Sequence, residues 1–252
     1  MFTGFPEATE RFFLDLRYHN NSTWYQANKD RYLQDVQAPF YSLIEDLIPV
    51  LREIDPLVEV RPHKLLSRLR RDTRFSKDKT PYRDHLWIWF KRGGEERRTS
   101  LGYWFEYGVN TLSWGMATWD ENRPLMDRFR RELAANPARC SGLIHACGLP
   151  ERHLRLDGSI IHRLDVPPGL PDTLLPWYRL RQPVITQTRF EPGEAASRRL
   201  LGHAASDFRA MAPIYRLLRG MQDELERTTP AAPDTDTGIQ HTTIDRKYQD
   251  EW

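Results

Sequence analysis

The chain has 252 residues, of which 39% are hydrophobic and 29% are charged, and its formal net charge is +2 at pH 7. A chain of this size and composition can bury a sizeable core, and its near-neutral charge argues against a protein whose whole surface follows nucleic acid. No apolar stretch approaches the ~20 residues of a membrane-spanning helix, and the first residues lack the basic and apolar regions of a secretory signal.

Helical periodicity governs the first part of the chain. Pro6 predicts the start of a helix whose apolar side includes Leu16. Residues 20–22, Asn-Asn-Ser, predict a break and the N-cap of a longer helix. Pro39 is expected to kink or interrupt that helix, and residues 55–56, Asp-Pro, are expected to end the helical region.

The period changes from 3.6 to 2 between about residues 57 and 119, which predicts strands. Residues 85–90 are apolar on both faces, as in a covered central strand. Two further strands are predicted at 99–107 and 111–119, joined by a short link that suits a hairpin. The sequence therefore predicts an antiparallel meander.

Helical periodicity returns at residues 121–135, and the pattern then weakens. Short strands amid proline-rich loops are predicted at 154–156, 160–164 and 184–190. Residues 194–211 predict an amphipathic helix that Pro213 breaks.

These elements predict an α+β fold, with an antiparallel sheet meander packed against N-terminal and C-terminal helices. We expect a single domain over residues 1–227. Residues 228–252 contain few large apolar side chains, so they predict a flexible, polar C-terminal tail.

Residues 68–83, with the sequence RLRRDTRFSKDKTPYR, form what we call the basic segment. It contains seven cations and two carboxylates, a net charge of +5, so the remaining residues carry a net charge of −3. Arginine offers a planar fork of donors, lysine a mobile point charge, and a turn adds backbone N–H groups. Together these groups predict a site for a phosphate, sulfate or carboxylate group.

The predicted anion-binding residues are Arg68, Arg71, Arg74, Ser76, Lys77, Lys79 and Arg83. The alternative is a purely structural network, in which Asp72 and Asp78 hold the arginines in place and nothing is bound. Two acids cannot neutralise seven cations, and this surplus favours the anion site.

Three residues are the candidates for proton transfer if the protein is an enzyme, namely Glu106, Asp72 and His85. Glu106 is predicted on a strand among aromatic residues, where it either pairs with an arginine or acts as a general acid or base. The candidate aromatic residues of a pocket are Trp24, Phe75, Tyr82, Trp104 and Trp119. Tryptophans on the strands are more often core residues than ligand platforms.

The stretch RDTRFSKDKTPY, residues 71–82, resembles the signature of domain-of-unknown-function family 2461, which occurs in bacteria and fungi. Shorter matches to the family occur at residues 12–14, 20–21, 24–25, 102–106 and 115–116. The resemblance covers about residues 1–220 and implies an α+β domain, but it implies no activity. Arg83 stands where the family often has lysine, which preserves the charge.

Neither a cofactor nor a metal is expected, because the sequence has no P-loop, no GxSxG and no HExxH pattern. The two cysteines have no metal-site spacing and are too few for a disulfide-rich scaffold, which predicts a cytoplasmic protein.

The leading hypothesis is a protein that binds the oxyanionic group of a small molecule in a cationic pocket and, if it is an enzyme, stabilises charge on that group. A second hypothesis is a nucleic-acid-binding module whose aromatic residues stack on bases. A third is a module that docks an acidic segment of a protein partner. No membrane partner is expected.

Overall fold

The computed structural model describes residues 1–187 and 193–228 of the chain. The predicted tail lies outside the described residues from residue 229 onward, and so does the end of the strand predicted at 184–190.

Helices form the N-terminal part of the protein, as the sequence predicts. Their bounds are α1 Glu7–Tyr18, α2 Ser22–Ala27, α3 Lys29–Arg31, a π-helical turn Tyr32–Gln37, α4 Ala38–Ile54 and α5 Pro62–Leu65. The N-cap of α2 is Asn21, whose side-chain oxygen accepts a 2.9 Å hydrogen bond from the backbone N–H of Trp24.

The interruption expected near Pro39 takes the form of the π-helical turn directly before α4. A proline has no N–H, so it cannot donate to the carbonyl four residues earlier, which here belongs to Asp35. The hydroxyl of the fully buried Thr9 donates to that carbonyl instead. A side chain of α1 therefore satisfies the group that the proline leaves without its helical partner.

A five-stranded sheet has the strand order β1-β2-β3-β5-β4. The strands are β1 His85–Phe90, β2 Leu101–Gly108, β3 Thr111–Thr118, β4 Leu154–Asp157 and β5 Val184–Gln187. Strands β1 and β2 are antiparallel, and their register pairs His85 with Gly108 and Phe90 with Tyr103. The predicted fold class is confirmed. The strand predicted at 160–164 was wrong, because only an isolated bridge between Ile160 and Leu180 forms there.

The remaining helices follow β3. They are α6 Arg123–Ala135, α7 Pro137–Ala146, α8 Leu175–Arg179 and α9 Arg199–Thr228, with short 3₁₀ turns at Asp172–Leu174 and Glu194–Ala196. Helix α7 was not predicted.

The expectation that Pro213 breaks the C-terminal helix was wrong. Helix α9 is 30 residues long and continues through Pro213 without a break. An internal proline costs a helix about 3 kcal/mol. Residues on both sides of it, such as Met211, Ile214 and Leu218, are fully buried, and burying each large apolar side chain stabilises by roughly 1.5–3 kcal/mol. Tertiary packing therefore offsets the local penalty.

The chain divides into two compact units. The first consists of Met1–Gly93, Tyr103–Gly115 and Thr186–Arg209, and the second of Gly94–Gly102, Met116–Ile185 and the chain from Ala210. The expectation of a single domain stays a prediction.

The core of the first unit is aromatic. Phe5 stacks on Tyr107 with ring centroids 4.4 Å apart, and Phe208 of α9 lies 4.9 Å from Tyr103. Tyr103 and Tyr107, four residues apart, point to the same side of β2, because every second side chain along a strand lies on the same face. One face of this sheet region is therefore covered by the N-terminal segment and the start of α9.

Two buried arginines connect elements of the second unit. Arg219 is 4% exposed, pairs with Glu95 and donates a 2.6 Å hydrogen bond to the carbonyl of Leu101. Arg130 donates to the carbonyls of Tyr178 and Leu180 at 2.9 and 2.5 Å. Buried cations need such partners because unpaired burial is costly. Across the described residues, no helix combines the length and apolar character needed to cross a membrane.

Candidate functional site

The basic segment folds as an irregular hairpin. The backbone N–H of Arg83 donates to the carbonyl of Leu69 at 2.9 Å, and that of Arg71 donates to the carbonyl of Pro81 at 2.8 Å. The two arms therefore run antiparallel, and residues 72–80 form the loop that joins them. The extended geometry that a proline imposes on the residue before it suits this arrangement.

Arg71 holds the base of the loop. Its guanidinium pairs with Asp78, donates to Thr80 Oγ1 at 2.7 Å and lies 3.5 Å from Ser76 Oγ. Its side chain is only 13% exposed. The side chains of Arg71 and Ser76, which were predicted to bind an anion, therefore make contacts within the protein instead.

Arg74 and Asp72 form a second internal pair. The guanidinium donates from Nε to Oδ1 at 3.0 Å and from Nη2 to Oδ2 at 2.7 Å, and the backbone N–H of Arg74 adds a 3.2 Å bond to Oδ1. The same guanidinium lies over the ring of Phe75, 5.8 Å from its centroid. This geometry is the parallel fork by which arginine recognises a carboxylate.

Both acids of the loop are ionised. The hydrogen bond from the Arg74 side chain lowers the pKa of Asp72 to about 2. The backbone N–H of Thr80, followed by the Arg71 guanidinium, lowers the pKa of Asp78 to about 2. A carboxylate held in this state is a poor proton donor or acceptor near neutral pH, which argues against the role predicted for Asp72.

Two more cations have partners within the hairpin. Lys79 Nζ donates to the carbonyl of Thr73 at 2.8 Å. Arg83 Nη1 lies 3.4 Å from the carbonyl of Arg70, and its guanidinium covers the ring of Trp87, 4.7 Å from the centroid. The carbonyl of Thr73 is a neutral acceptor, so this contact leaves the positive charge of Lys79 uncompensated.

Three cations of the hairpin differ from the other four. In the described part of the chain, the side chains of Arg68, Arg70 and Lys77 are exposed and make no hydrogen bond or ion pair. Arg68 and Lys77 were predicted as anion-binding residues, whereas Arg70 was missed. Arg70 could have been identified from its position within the same basic segment of the sequence. The charge surplus counted from the sequence thus corresponds to particular side chains.

The hairpin is anchored to the corner between α1 and α2. Asn20 Nδ2 donates to the carbonyl of Tyr82, and the Tyr82 N–H donates to Asn20 Oδ1, both at 2.9 Å. The Tyr82 ring is 4% exposed and stacks on Tyr25 with centroids 4.7 Å apart. Tyr82 is therefore a buried anchor, although it was predicted to line a pocket.

Beside the hairpin lies the other face of β1 and β2. Trp87 is opposite Glu106 in the strand register, and His85 is two residues before Trp87 on the same face. Thr111 Oγ1 donates to Glu106 Oε1 at 3.2 Å. The structure therefore brings two of the three candidate proton-transfer residues, His85 and Glu106, to one face of the sheet. Arg83 covers Trp87 on this face.

Gly108 makes room for His85. An added Cβ at Gly108 would lie 2.3 Å from the Cβ of His85, far inside normal contact distance. The absence of a side chain at Gly108 therefore allows β2 to lie close to His85 of β1.

His85 belongs to a chain of charged groups that sequence reasoning missed. Asp84 Oδ1 lies 3.0 Å from His85 Nδ1, and Arg17 Nε donates to Asp84 Oδ2 at 2.6 Å. Burial alone would raise the pKa of Asp84, but hydrogen bonds with His85 and Arg17 lower it to about 2. Burial would likewise lower the pKa of His85, but Asp84 and the charge of Glu106 raise it. The ionised Asp84 orients the imidazole and favours its protonation.

The other predicted aromatic residues lie in different surroundings. Trp104 is half-buried opposite Trp89, and Trp24 is half-buried and stacks on His19 at 6.0 Å. Trp119 is buried in the second unit under the guanidinium of Arg97, 4.9 Å from the ring centroid. Phe75 is 63% exposed in the loop of the hairpin. Of these side chains, Phe75 offers the most accessible ring.

A cavity of about 450 Å³ lies at the N-terminal segment, lined by residues 1–7, Gln34, Ala38, Pro39, Ser42 and Ala196. None of the predicted anion-binding or proton-transfer residues lines it. Within residues 1–187 and 193–228, no group of histidine, cysteine, aspartate and glutamate side chains is arranged to hold a metal ion.

A family model described as conserved hypothetical protein (DUF2461) matches residues 8–217. The match covers most of the chain, so the protein belongs to this family. No curated protein and no solved structure matches the chain. The family description names no activity.

Proposed function

We propose that this member of the DUF2461 family binds oxyanionic groups, such as phosphate, sulfate or carboxylate, on its basic hairpin. The observation that carries the proposal is the state of Arg68, Arg70 and Lys77. These side chains are exposed and make no ion pair or hydrogen bond within the described residues. An anion that reaches them does not have to displace a protein carboxylate.

The internal pairs of the hairpin support binding indirectly. Asp72 and Asp78 fix the loop through Arg74 and Arg71, and Asn20 fixes the arm that contains Tyr82. A segment that is already ordered loses less conformational entropy when it binds a ligand. The two acids therefore contribute rigidity, while the remaining cations supply the positive potential.

The exposure of these cations favours a ligand with several anionic groups. A single contact between solvent-exposed charges contributes only ~0–1 kcal/mol and is screened by salt. Several such contacts to one ligand add up, so a molecule with repeated anionic groups gains more than a lone anion. A small molecule with one oxyanionic group gains enough binding free energy for a stable complex only if a pocket encloses it.

A thermal-shift series tests anion binding. We expect tripolyphosphate to raise the Tm of the wild type, because a ligand at about 100 times its Kd stabilises the folded state by ~2.7 kcal/mol. The double variant Arg70→Gln with Lys77→Gln should lose most of this shift. Arg52→Gln is the matched control, since Arg52 is exposed on α4 and makes no ion pair in the described chain. The proposal fails if no phosphate or sulfate compound stabilises the wild type.

Chemistry at the bound group is a second candidate function, favoured by the arrangement around His85. Asp84 contacts one imidazole nitrogen at 3.0 Å, Glu106 lies on the same sheet face, and Arg83 of the hairpin covers the adjacent Trp87. An imidazole whose tautomer and charge are set in this way can act as a general acid or base. Glu106 would assist by its charge.

This candidate predicts that wild type turns over some member of a panel of chromogenic phosphate and sulfate esters. His85→Gln should abolish turnover and leave the tripolyphosphate shift in Tm unchanged, because His85 is not among the exposed cations. Turnover that survives in His85→Gln would exclude the role.

Both cysteines are buried and unpaired, which agrees with the reducing cytoplasm expected from the sequence.

A further inference from the structure

The ring of Phe75 combines three properties. It is 63% exposed, it lies in the loop of the basic hairpin, and the Arg74 guanidinium covers it at 5.8 Å. A single exposed apolar side chain is common and needs no explanation by itself. Here, however, the exposed ring lies two residues from Lys77, one of the three cations of the hairpin whose side chains have no partner among the described residues.

The loop presents this ring in a defined position. Arg74 is tied to Asp72 by side-chain and backbone hydrogen bonds, and Arg71 joins Asp78 and Thr80 at the base of the loop. An aromatic ring in an ordered basic loop can stack on a planar group without first losing much conformational freedom.

We infer that the ligand of the basic hairpin is single-stranded nucleic acid, with a base stacked on Phe75 and phosphates contacting Arg68, Arg70 and Lys77. The inference depends on the proposed anion binding and specifies its ligand. Proteins that bind single strands combine a cationic track with aromatic rings, because every base has a face available for stacking. In a duplex that face is covered by the neighbouring bases. An acidic peptide would use the cations but has no comparable use for the ring.

The two kinds of contact have separate signatures. Each phosphate neutralised on a single strand contributes about −0.7 to the slope of log K against log salt concentration, so three contacts give a slope of about −2. Stacking of one base on an aromatic ring contributes little to that slope. Its loss lowers affinity by about 5- to 150-fold, the equivalent of ~1–3 kcal/mol.

The experiment measures fluorescence anisotropy with a labelled oligothymidylate of about 12 nucleotides at several salt concentrations. We expect Phe75→Ala to weaken binding at least about 5-fold with the salt slope unchanged. Arg70→Gln should instead reduce the magnitude of the slope by about 0.7. Leu57→Ala is the matched control for Phe75, because Leu57 is 64% exposed and lies outside the hairpin. Circular dichroism confirms that each variant is folded.

Polyphosphate of similar charge and oligoglutamate are the comparison ligands. Equal loss of affinity for polyphosphate in Phe75→Ala, or tighter binding of oligoglutamate than of oligothymidylate, would overturn the nucleic-acid inference and leave anion binding intact. Wild type that binds polyphosphate but not oligothymidylate would do the same. Wild type that binds none of the three ligands would overturn both the inference and the proposed function.

Discussion

Replacing Asn20 with alanine tests whether the basic hairpin is held from outside by α1 and α2. The Asn20 amide makes two hydrogen bonds to the backbone of Tyr82, one as donor and one as acceptor, both at 2.9 Å. A hydrogen bond contributes ~0.5–1.5 kcal/mol net, so the loss of both should lower the free energy of unfolding by ~1–3 kcal/mol. Tyr82 is only 4% exposed and stacks on Tyr25, so water has little access to replace these bonds.

Urea unfolding followed by tryptophan fluorescence measures this loss. With an m-value of ~2–3 kcal/mol/M, a loss of ~2 kcal/mol moves the unfolding midpoint down by about 0.7–1 M while m stays constant. Asn20→Asp keeps the acceptor for the Tyr82 N–H but cannot donate to its carbonyl. This variant should therefore show at least half of the loss in unfolding free energy that Asn20→Ala shows.

The matched control is Gln26→Ala. Gln26 is exposed on α2 and its side chain makes no hydrogen bond in the described chain, so this variant should stay within about 0.5 kcal/mol of wild type. If Asn20→Ala also stays within that range, the two bonds do not hold the hairpin and the reasoning is wrong.

Three further predictions concern charged groups. The pKa of His85 is raised above its ordinary value of 6.5, so protonated His85 stabilises the fold below pH 6.5 and this contribution is lost as pH rises through the raised pKa. Urea midpoints of wild type and His85→Gln should therefore differ most at low pH, and a constant difference would contradict the assignment. Arg219→Met removes the buried cation that pairs with the largely buried Glu95 and should lower the free energy of unfolding by ~3–5 kcal/mol, with part of the loss recovered by adding Glu95→Gln. Full additivity of the two substitutions would argue against the pair. Arg71→Gln should speed tryptic cleavage at the loop lysines without a comparable loss of global stability, because Arg71 fixes the loop locally. Equal cleavage of wild type and variant would count against this role.

Local patterns in the sequence predict the elements that local interactions determine. Strand β1 has the predicted bounds, His85–Phe90, because its continuous apolar run reflects burial. The basic segment was recognised from charge alone, since an excess of cations over acids does not depend on how the chain folds.

Contacts between distant residues were beyond the sequence pattern. Asn20 and Tyr82 are 62 positions apart, and Arg17 and Asp84 are 67 apart, so neither pair leaves a periodic signal. Pro213 misled the prediction for a related reason. Its local effect on a helix is unfavourable, and the packing that outweighs this effect involves residues from the rest of the fold.

The ion pairs within the loop also make its net charge independent of pH near neutrality. Asp72 and Asp78 both have a pKa of about 2, and arginine and lysine stay protonated well above neutrality. The net charge of the hairpin is therefore constant across the range in which cells operate. A dependence of ligand affinity on pH in that range would therefore point to the ligand or to groups outside the hairpin, of which His85 is the first to test.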